Sequence, residues 1–80
     1  MLEVKKVYRD DNGDEIAIMG RVKRYPELPY LWGASGDWYD EQTGAVVMCK
    51  PLKRGQAEVE RYLAPSNYRS ISNHTPLCEV

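Results

Sequence analysis

The sequence predicts a mainly β domain, built as a small antiparallel sheet or half-barrel of four or five strands with at most one short helix. Two observations support this prediction. Apolar and polar residues alternate in the first quarter of the chain, and glycine-containing turn signals separate most of its short apolar segments. The chain has 80 residues, which is typical of one domain, so residues 1–80 are expected to form a single small globular domain.

The first predicted element is an N-terminal β-hairpin. Leu2 to Tyr8 alternates between its two faces, and in the next segment Ile16, Ile18 and Val22 share one face of a strand. Between the two segments lies Asn12-Gly13, a strong hairpin signal because both residue types tolerate positive φ.

The middle of the chain predicts a loop followed by two short aromatic strands. Tyr25 to Pro29 contains two prolines, which have no backbone N–H for a sheet, so this segment is expected to be a loop or an edge. Tyr30 to Trp32 and Trp38 to Tyr39 are separated by Gly33 to Gly36, a sequence that permits a tight reversal.

The second half predicts one buried strand and one ambiguous segment. Gly44 is expected to take a left-handed conformation before Ala45 to Cys49, which is apolar on both faces and is predicted to be the central strand. Gln56 to Leu63 fits a helix or a strand, and helix propensity favours the helix. Pro65 ends that segment, and Pro76 to Val80 is expected to fray or to return as a short edge strand.

Composition and charge disfavour several classes of protein. The net charge is −1, so no global field would attract nucleic acid or an anionic membrane. No apolar run is long enough for a membrane span or a signal peptide, which predicts a cytoplasmic protein that does not bind membranes. The two cysteines, Cys49 and Cys78, are accordingly expected to be reduced.

The sequence contains no arrangement typical of an enzyme, a metal site or a cofactor site. The only histidine, His74, would need a helix to act with Cys78 as a nucleophilic pair, and Pro76 between them disfavours a helix. Asp10 to Asp14 has the first spacings of a calcium loop, but the glycine and the bidentate glutamate that such a loop needs are absent. We therefore expect a non-enzymatic protein without catalytic residues, metal or cofactor.

The aromatic residues indicate recognition of another protein. All eight are Tyr or Trp, which combine an apolar body with a polar tip and are enriched in binding surfaces. The predicted partner-binding residues, which fall in one fifteen-residue stretch, are Tyr25, Tyr30, Trp32, Trp38 and Tyr39. A domain this small would act by occupying or bridging a larger partner, as an inhibitor or modulator of the kind that phages and mobile elements encode. A second copy of the chain is a further candidate partner, since dimerisation would stabilise so small a core.

Two basic stretches support an alternative function, nucleic-acid binding. The first lies close to the aromatic stretch, and single-strand-binding proteins combine phosphate-neutralising cations with stacking rings in this way. The candidate residues are Arg21, Lys23, Arg24, Lys50, Lys53 and Arg54.

Short motifs also resemble the ligand-binding landmarks of Src-homology-three domains. The matching segments are Val7-Tyr8-Arg9-Asp10, the acidic stretch from Asp11 to Glu15, Gly36-Asp37-Trp38-Tyr39 and Leu63-Ala64-Pro65-Ser66-Asn67-Tyr68. The resemblance implies a small β-barrel whose aromatic groove binds proline-rich peptides. By this resemblance the groove would be lined by Tyr8, Trp38, Pro65 and Tyr68, and Asp11, Asp14 or Glu15 would pair with a basic residue of the peptide.

Overall fold

The computed structural model describes residues 1–48, 64–66 and 69–80. In these residues the chain forms one antiparallel sheet of seven strands and no helix, which confirms the mainly β class. The strands are β1 (Lys6–Arg9), β2 (Glu15–Arg21), β3 (Tyr30–Gly33), β4 (Trp38–Asp40), β5 (Val46–Met48), β6 (Ala64–Ser66) and β7 (Cys78–Glu79). They lie side by side in the order β6-β5-β4-β3-β2-β1-β7. The segment predicted as a helix, residues 56–63, lies outside the described residues.

The predicted N-terminal hairpin is confirmed by the antiparallel pairing of β1 with β2. Its loop is held by Asp10, whose carboxylate Oδ1 accepts hydrogen bonds from the backbone N–H groups of Asn12 and Asp14 at 2.9 and 2.8 Å. The first strand begins at Lys6 and not at Leu2, because the preceding residue, Lys5, has a left-handed φ of 69°.

Two further glycine turns form as the sequence predicts. Gly36 has a φ of 101° in the reversal between β3 and β4, and Gly44 has a φ of 74° in the loop between β4 and β5. The short C-terminal edge strand is also present, because Cys78 pairs with Val7 of β1. The prediction that the apolar strand after Gly44 is central is wrong: β5 lies second from one edge, and β3 is the middle strand of the seven.

The strand register gives the sheet two apolar faces. Leu31 lies opposite Tyr39 on one face, and Trp32 lies opposite Trp38 on the other. The first face, which we call the core face, carries the main buried cluster of Leu2, Tyr8, Ile16, Ile18, Leu31, Tyr39, Val46 and Ile71. The other face, which we call the second face, carries a smaller cluster of Val22, Tyr30 and Val47, with Tyr25, Leu28 and Trp38 packed against it.

A register shift in β2 determines which residues reach the second face. The pairing of β2 with β3 changes between Ile18, which lies opposite Gly33, and Gly20, which lies opposite Trp32. Such an irregularity re-aims the side chains that follow it. The prediction that Val22 shares a face with Ile16 and Ile18 is therefore wrong, and Val22 belongs to the second-face cluster.

Residues 69–72, which we call the strap, fasten two loops of the sheet to each other. The carbonyl oxygen of Ser70 accepts a hydrogen bond from the backbone N–H of Asp11 at 2.8 Å, in the loop between β1 and β2. The backbone N–H of Ile71 donates to the carbonyl oxygen of Gly44 at 2.7 Å, in the loop between β4 and β5. The side chain of Ile71 is fully buried in the core-face cluster. The strap thus contributes both hydrogen bonds and apolar packing to the core face.

Side-chain contacts add to the attachment of the strap. The hydroxyl of Ser72 donates to the Asp11 carboxylate at 2.6 Å, and the Ser70 hydroxyl oxygen accepts the backbone N–H of Val46 at 3.0 Å. Arg69 forms an ion pair at 3.0 Å with Asp37, which lies in the reversal between β3 and β4. The strap therefore contacts three loops of the sheet, which connect β1 with β2, β3 with β4 and β4 with β5.

The close approach of the strap to Gly44 gives a prediction about stability. A Cβ atom at Gly44 would lie 1.9 Å from the Ile71 carbonyl oxygen, whereas a Cβ at Gly36 would meet nothing within 4 Å. A left-handed φ costs an alanine about 1–2 kcal/mol at either position, and overpacking adds about 1–3 kcal/mol at Gly44. We expect Gly44→Ala to lower the free energy of unfolding by about 2–5 kcal/mol and Gly36→Ala by about 1–2 kcal/mol. Urea denaturation followed by tryptophan fluorescence measures both, and equal losses would contradict the contact with the strap.

Stability should also fall at alkaline pH because of Tyr39. Burial, and secondarily the negative charge of Asp37, raises the pKa of Tyr39 to about 12 from the ordinary 10.0. The unfolded chain therefore loses this proton first, so the stability is complete below pH 10 and falls as the pH rises toward 12. We expect a loss of about 2 kcal/mol over that interval, measured by urea denaturation. Burial followed by the charge of Asp40 also raises the pKa of Tyr30, so Tyr39→Phe should reduce the decline without removing it. An unchanged decline in Tyr39→Phe would contradict the assignment.

Candidate functional site

The connection between β2 and β3, residues 22–29, covers part of the second face of the sheet. It leaves the sheet at Val22, whose backbone N–H donates to the carbonyl oxygen of Tyr30 at 2.9 Å. It then turns between Tyr25 and Leu28, where a backbone hydrogen bond of 3.0 Å closes the loop. Both of these side chains pack against the second-face cluster. The predicted loop is thus confirmed, and it forms one wall of the site described below.

An open cleft of about 390 Å³ lies on the second face beside this connection. We call it the Trp cleft, and its lining residues are Arg21, Val22, Lys23, Arg24, Trp32 and Trp38. Its two tryptophans are cross-strand neighbours on β3 and β4. They are also the only two tryptophans of the chain. The cleft therefore combines an apolar floor with three basic residues in its lining.

Trp38 is the fixed part of the floor. Its ring centroid lies 6.1 Å from that of Tyr25, with an angle of 71° between the planes, and 6.3 Å from that of Tyr30. These are the separations and tilted orientations that aromatic pairs prefer. Trp38 is half-buried, and Tyr30 behind it is 7% exposed. The indole of Trp38 is consequently held in place by packing before any ligand arrives.

Trp32 is the exposed part of the floor. It keeps 41% of its surface accessible, and it lies against Gly20 on the neighbouring strand. A Cβ atom at Gly20 would be 2.9 Å from the indole Nε1 atom of Trp32, so the indole occupies space that any other residue would fill. Glycine inside a strand often marks such a close approach. Gly20 thus positions Trp32.

The three cations at the cleft differ in their surroundings. Arg21 forms an ion pair with Glu41 at 2.5 Å. The Arg24 guanidinium lies 5.9 Å from the ring centroid of Tyr25, within the range of a cation–π contact. Lys23 is exposed and has no ion-pair partner among residues 1–48 and 69–80. A negatively charged ligand group would therefore meet an uncompensated charge at Lys23.

The predicted partner-binding residues divide between the two faces. Tyr25, Tyr30, Trp32 and Trp38 all lie on the second face, where Tyr25 and Tyr30 support Trp38. Tyr39 does not join them, because the alternation along β4 directs it to the core face, where it is fully buried. The expectation that Tyr39 lies in the binding surface is therefore corrected, and Tyr39 is a core residue.

The alternative residue sets are also only partly assembled. Arg21, Lys23 and Arg24 do line the Trp cleft, whereas Lys50, Lys53 and Arg54 lie outside the described residues. Of the peptide-groove set, Pro65 lies opposite Val47 in the edge strand β6, and Tyr68 is outside the described residues.

Tyr8 and Trp38 do not line a common groove. Tyr8 is fully buried on the core face, where its hydroxyl oxygen accepts a hydrogen bond from the backbone N–H of Glu3 at 2.8 Å, and Trp38 lies on the second face. Asp11, expected to meet a basic ligand residue, instead accepts the hydroxyl of Ser72. Asp14 and Glu15 are exposed at the hairpin loop.

Sequence reasoning missed Val22, which lines the cleft, and Gly20, which lies against Trp32. The signal for Gly20 was a glycine within an alternating strand, a position typical of a bulge or a close backbone approach. Val22 was assigned to the core face by strict alternation, which the register shift after Ile18 interrupts.

The described residues form no other site of the kinds that the sequence raised. In the part of the chain that the structure describes, no three His, Cys, Asp or Glu side chains lie close enough together to hold a metal ion. Cys78 is a free thiol, exposed on β7. Across residues 1–48, 64–66 and 69–80 there is no helix with the length and apolar character needed to cross a membrane.

Comparisons with models of protein families, with curated proteins and with solved structures find no match for this chain. The interpretation of the Trp cleft therefore depends on the chemistry of its own residues. That chemistry is an indole fixed by two tyrosines, a second indole open to solvent, and cations at the margin.

The packing of Trp32 against Gly20 can be tested in a Trp38→Phe background, where Trp32 is the only tryptophan. We expect Gly20→Ala to displace the indole and to raise its collisional quenching by acrylamide, while the protein stays folded because a side chain can yield. Gly13→Ala is the control: its φ of 91° makes alanine strained in the distant hairpin loop, but a Cβ atom there would meet nothing within 4 Å and Gly13 does not line the cleft. Equal quenching in all three proteins would show that Gly20 does not position Trp32.

Proposed function

We propose that this chain is a non-enzymatic protein-binding module that inhibits or modulates a larger macromolecular partner. It binds the partner through the Trp cleft and acts by occupying or bridging the partner's surface. The observation that supports this proposal is the pairing of a fixed indole, Trp38, with an adjacent indole, Trp32, that is 41% exposed.

The energetics of binding favour this pair of residues as the anchor. Tryptophan is enriched among the residues that carry most of the binding energy in protein interfaces, typically at least about 2 kcal/mol when truncated. Covering the open face of Trp32 would remove apolar surface from water. Because the packing of Tyr25 and Tyr30 already orders Trp38, little additional conformational entropy is lost at that residue on binding.

The surroundings of the two indoles also fit a protein interface. Such interfaces have an apolar centre and a polar, charged margin that stays accessible to water. In the Trp cleft, Val22 and the two tryptophans form the centre, and Lys23 and Arg24 are exposed at the margin.

Nucleic-acid binding is the second candidate, supported by the presence of three cations and two indoles in one cleft. Two observations favour a protein ligand over it. Arg21 is already paired with Glu41, which reduces the positive charge available for phosphates. Trp38 is packed between tyrosines, which leaves Trp32 as the more accessible of the two cleft rings, whereas single strands stack successive bases on several rings.

The proposal predicts the effect of replacing Trp32 with alanine. Peptides would be selected on the native protein from a random display library, and their affinities measured by titration at low and high salt. We expect Trp32→Ala to weaken binding at least about tenfold, equivalent to 1.4 kcal/mol, with a weak dependence on salt. Leu77→Ala is the matched control, because Leu77 is similarly exposed, at 45%, and does not line the cleft.

Two outcomes would contradict this proposal. In the first, folded Trp32→Ala retains the affinity of the native protein for the selected peptides. In the second, a single-stranded oligonucleotide binds more tightly than any peptide, with an affinity that falls steeply as salt is added; that result would support the nucleic-acid candidate.

A further inference from the structure

We infer that the ligand of the Trp cleft is an acidic segment of a partner protein, in which carboxylates flank an apolar side chain. This inference rests on the proposed function and specifies the partner's chemistry.

Charge complementarity supports the acidic character of the ligand. Three of the six cleft residues are cations and none of the six is acidic, and the charge of one of the cations, Arg21, is already compensated by Glu41. Lys23 is exposed and has no ion-pair partner among residues 1–48 and 69–80, so a ligand carboxylate would find an uncompensated charge there. Like charges placed across an interface are strongly disfavoured, and a basic segment would therefore be rejected. Exposed charges of this kind add specificity and speed of association.

The floor of the cleft supports an apolar side chain between the carboxylates. Val22 is 6% exposed and closes the floor, while the indole of Trp32 presents open apolar surface next to it. The volume of about 390 Å³ lies at the small end of the range for ligand pockets, which suits one or two side chains and not a folded element. A segment that carried only carboxylate side chains would place no apolar group against this surface.

Intrinsic fluorescence reports directly on this cleft, since both tryptophans of the chain line it. The probes are four mixtures of peptides of about 12 residues, a length sufficient to cross a small interface. They are built from Asp, Glu, Leu and Phe; from Asp, Glu, Ser and Gly; from Ser, Gly, Leu and Phe; and from Ser, Gly, Leu and Pro. Oligothymidylate of matched length is the fifth probe.

We expect the mixture of acidic and apolar residues to change the tryptophan emission with an affinity at least about tenfold higher than any other probe. Lys23→Glu should weaken this binding at least about tenfold, because it reverses the uncompensated charge. Lys5→Glu is the control with the same change in net charge; Lys5 is exposed and does not line the cleft, so the affinity should change less than about twofold.

Several results would overturn the inference. They also distinguish a failure of the acidic specificity from a failure of the proposed function. If a neutral mixture binds as tightly as the acidic one and Trp32→Ala abolishes that binding, the protein-binding proposal stands and the acidic specificity is wrong. If oligothymidylate binds more tightly than every peptide mixture, both the protein-binding proposal and the acidic specificity are overturned. Equal losses in Lys23→Glu and Lys5→Glu, or no change in emission with any probe, also overturn the inference.

Discussion

The register shift in β2 between Ile18 and Gly20 is the constraint on which both faces of the sheet depend. Before the shift, the even-numbered residues Ile16 and Ile18 reach the core face. After the shift, the even-numbered residue Val22 reaches the second face. The shift places a glycine opposite Trp32 and thereby leaves room for the indole to lie against the sheet. Without it, strict alternation would direct Val22 to the core face. The main core and the candidate binding surface therefore share one local irregularity of the backbone.

A single sheet with two apolar faces needs covering on both, and the part of the chain that the structure describes covers them unequally. The core face is closed by the strap, which buries Ile71 and bonds to the loops on either side. The second face receives the connection between β2 and β3, whose tyrosine packs against Trp38. That cover ends before Trp32, which stays 41% exposed. The exposed indole and the cations beside it follow from this incomplete cover, and they give the domain its candidate site for a partner.

The sequence predicted the local elements well, because they depend on neighbouring residues. The first hairpin, the reversal at Gly36 and the left-handed Gly44 all formed as expected, since backbone conformation at these positions is largely set by the residue type. Four residues of the predicted aromatic surface also lie together on one face. The position of β5 near an edge and the fully buried Tyr39 were not foreseen. The position of β5 depends on the order in which all the strands pair, whereas Tyr39 reaches the core face because side chains alternate along β4 and Trp38 takes the other face.

What the sequence by itself determined is the mainly β class, the turns and the concentration of Tyr, Trp and basic residues in one stretch, because these are properties of short segments. The tertiary structure alone decided which of those aromatic side chains share a face and which cations lie beside them. Side chains alternate across a strand with a period of two, so a shift of one residue exchanges the faces, and a glycine that is compatible with such a shift does not by itself specify it. The Trp cleft exists because the pairings of β2 with β3 and of β3 with β4 place Val22, Trp32 and Trp38 on one face of the sheet.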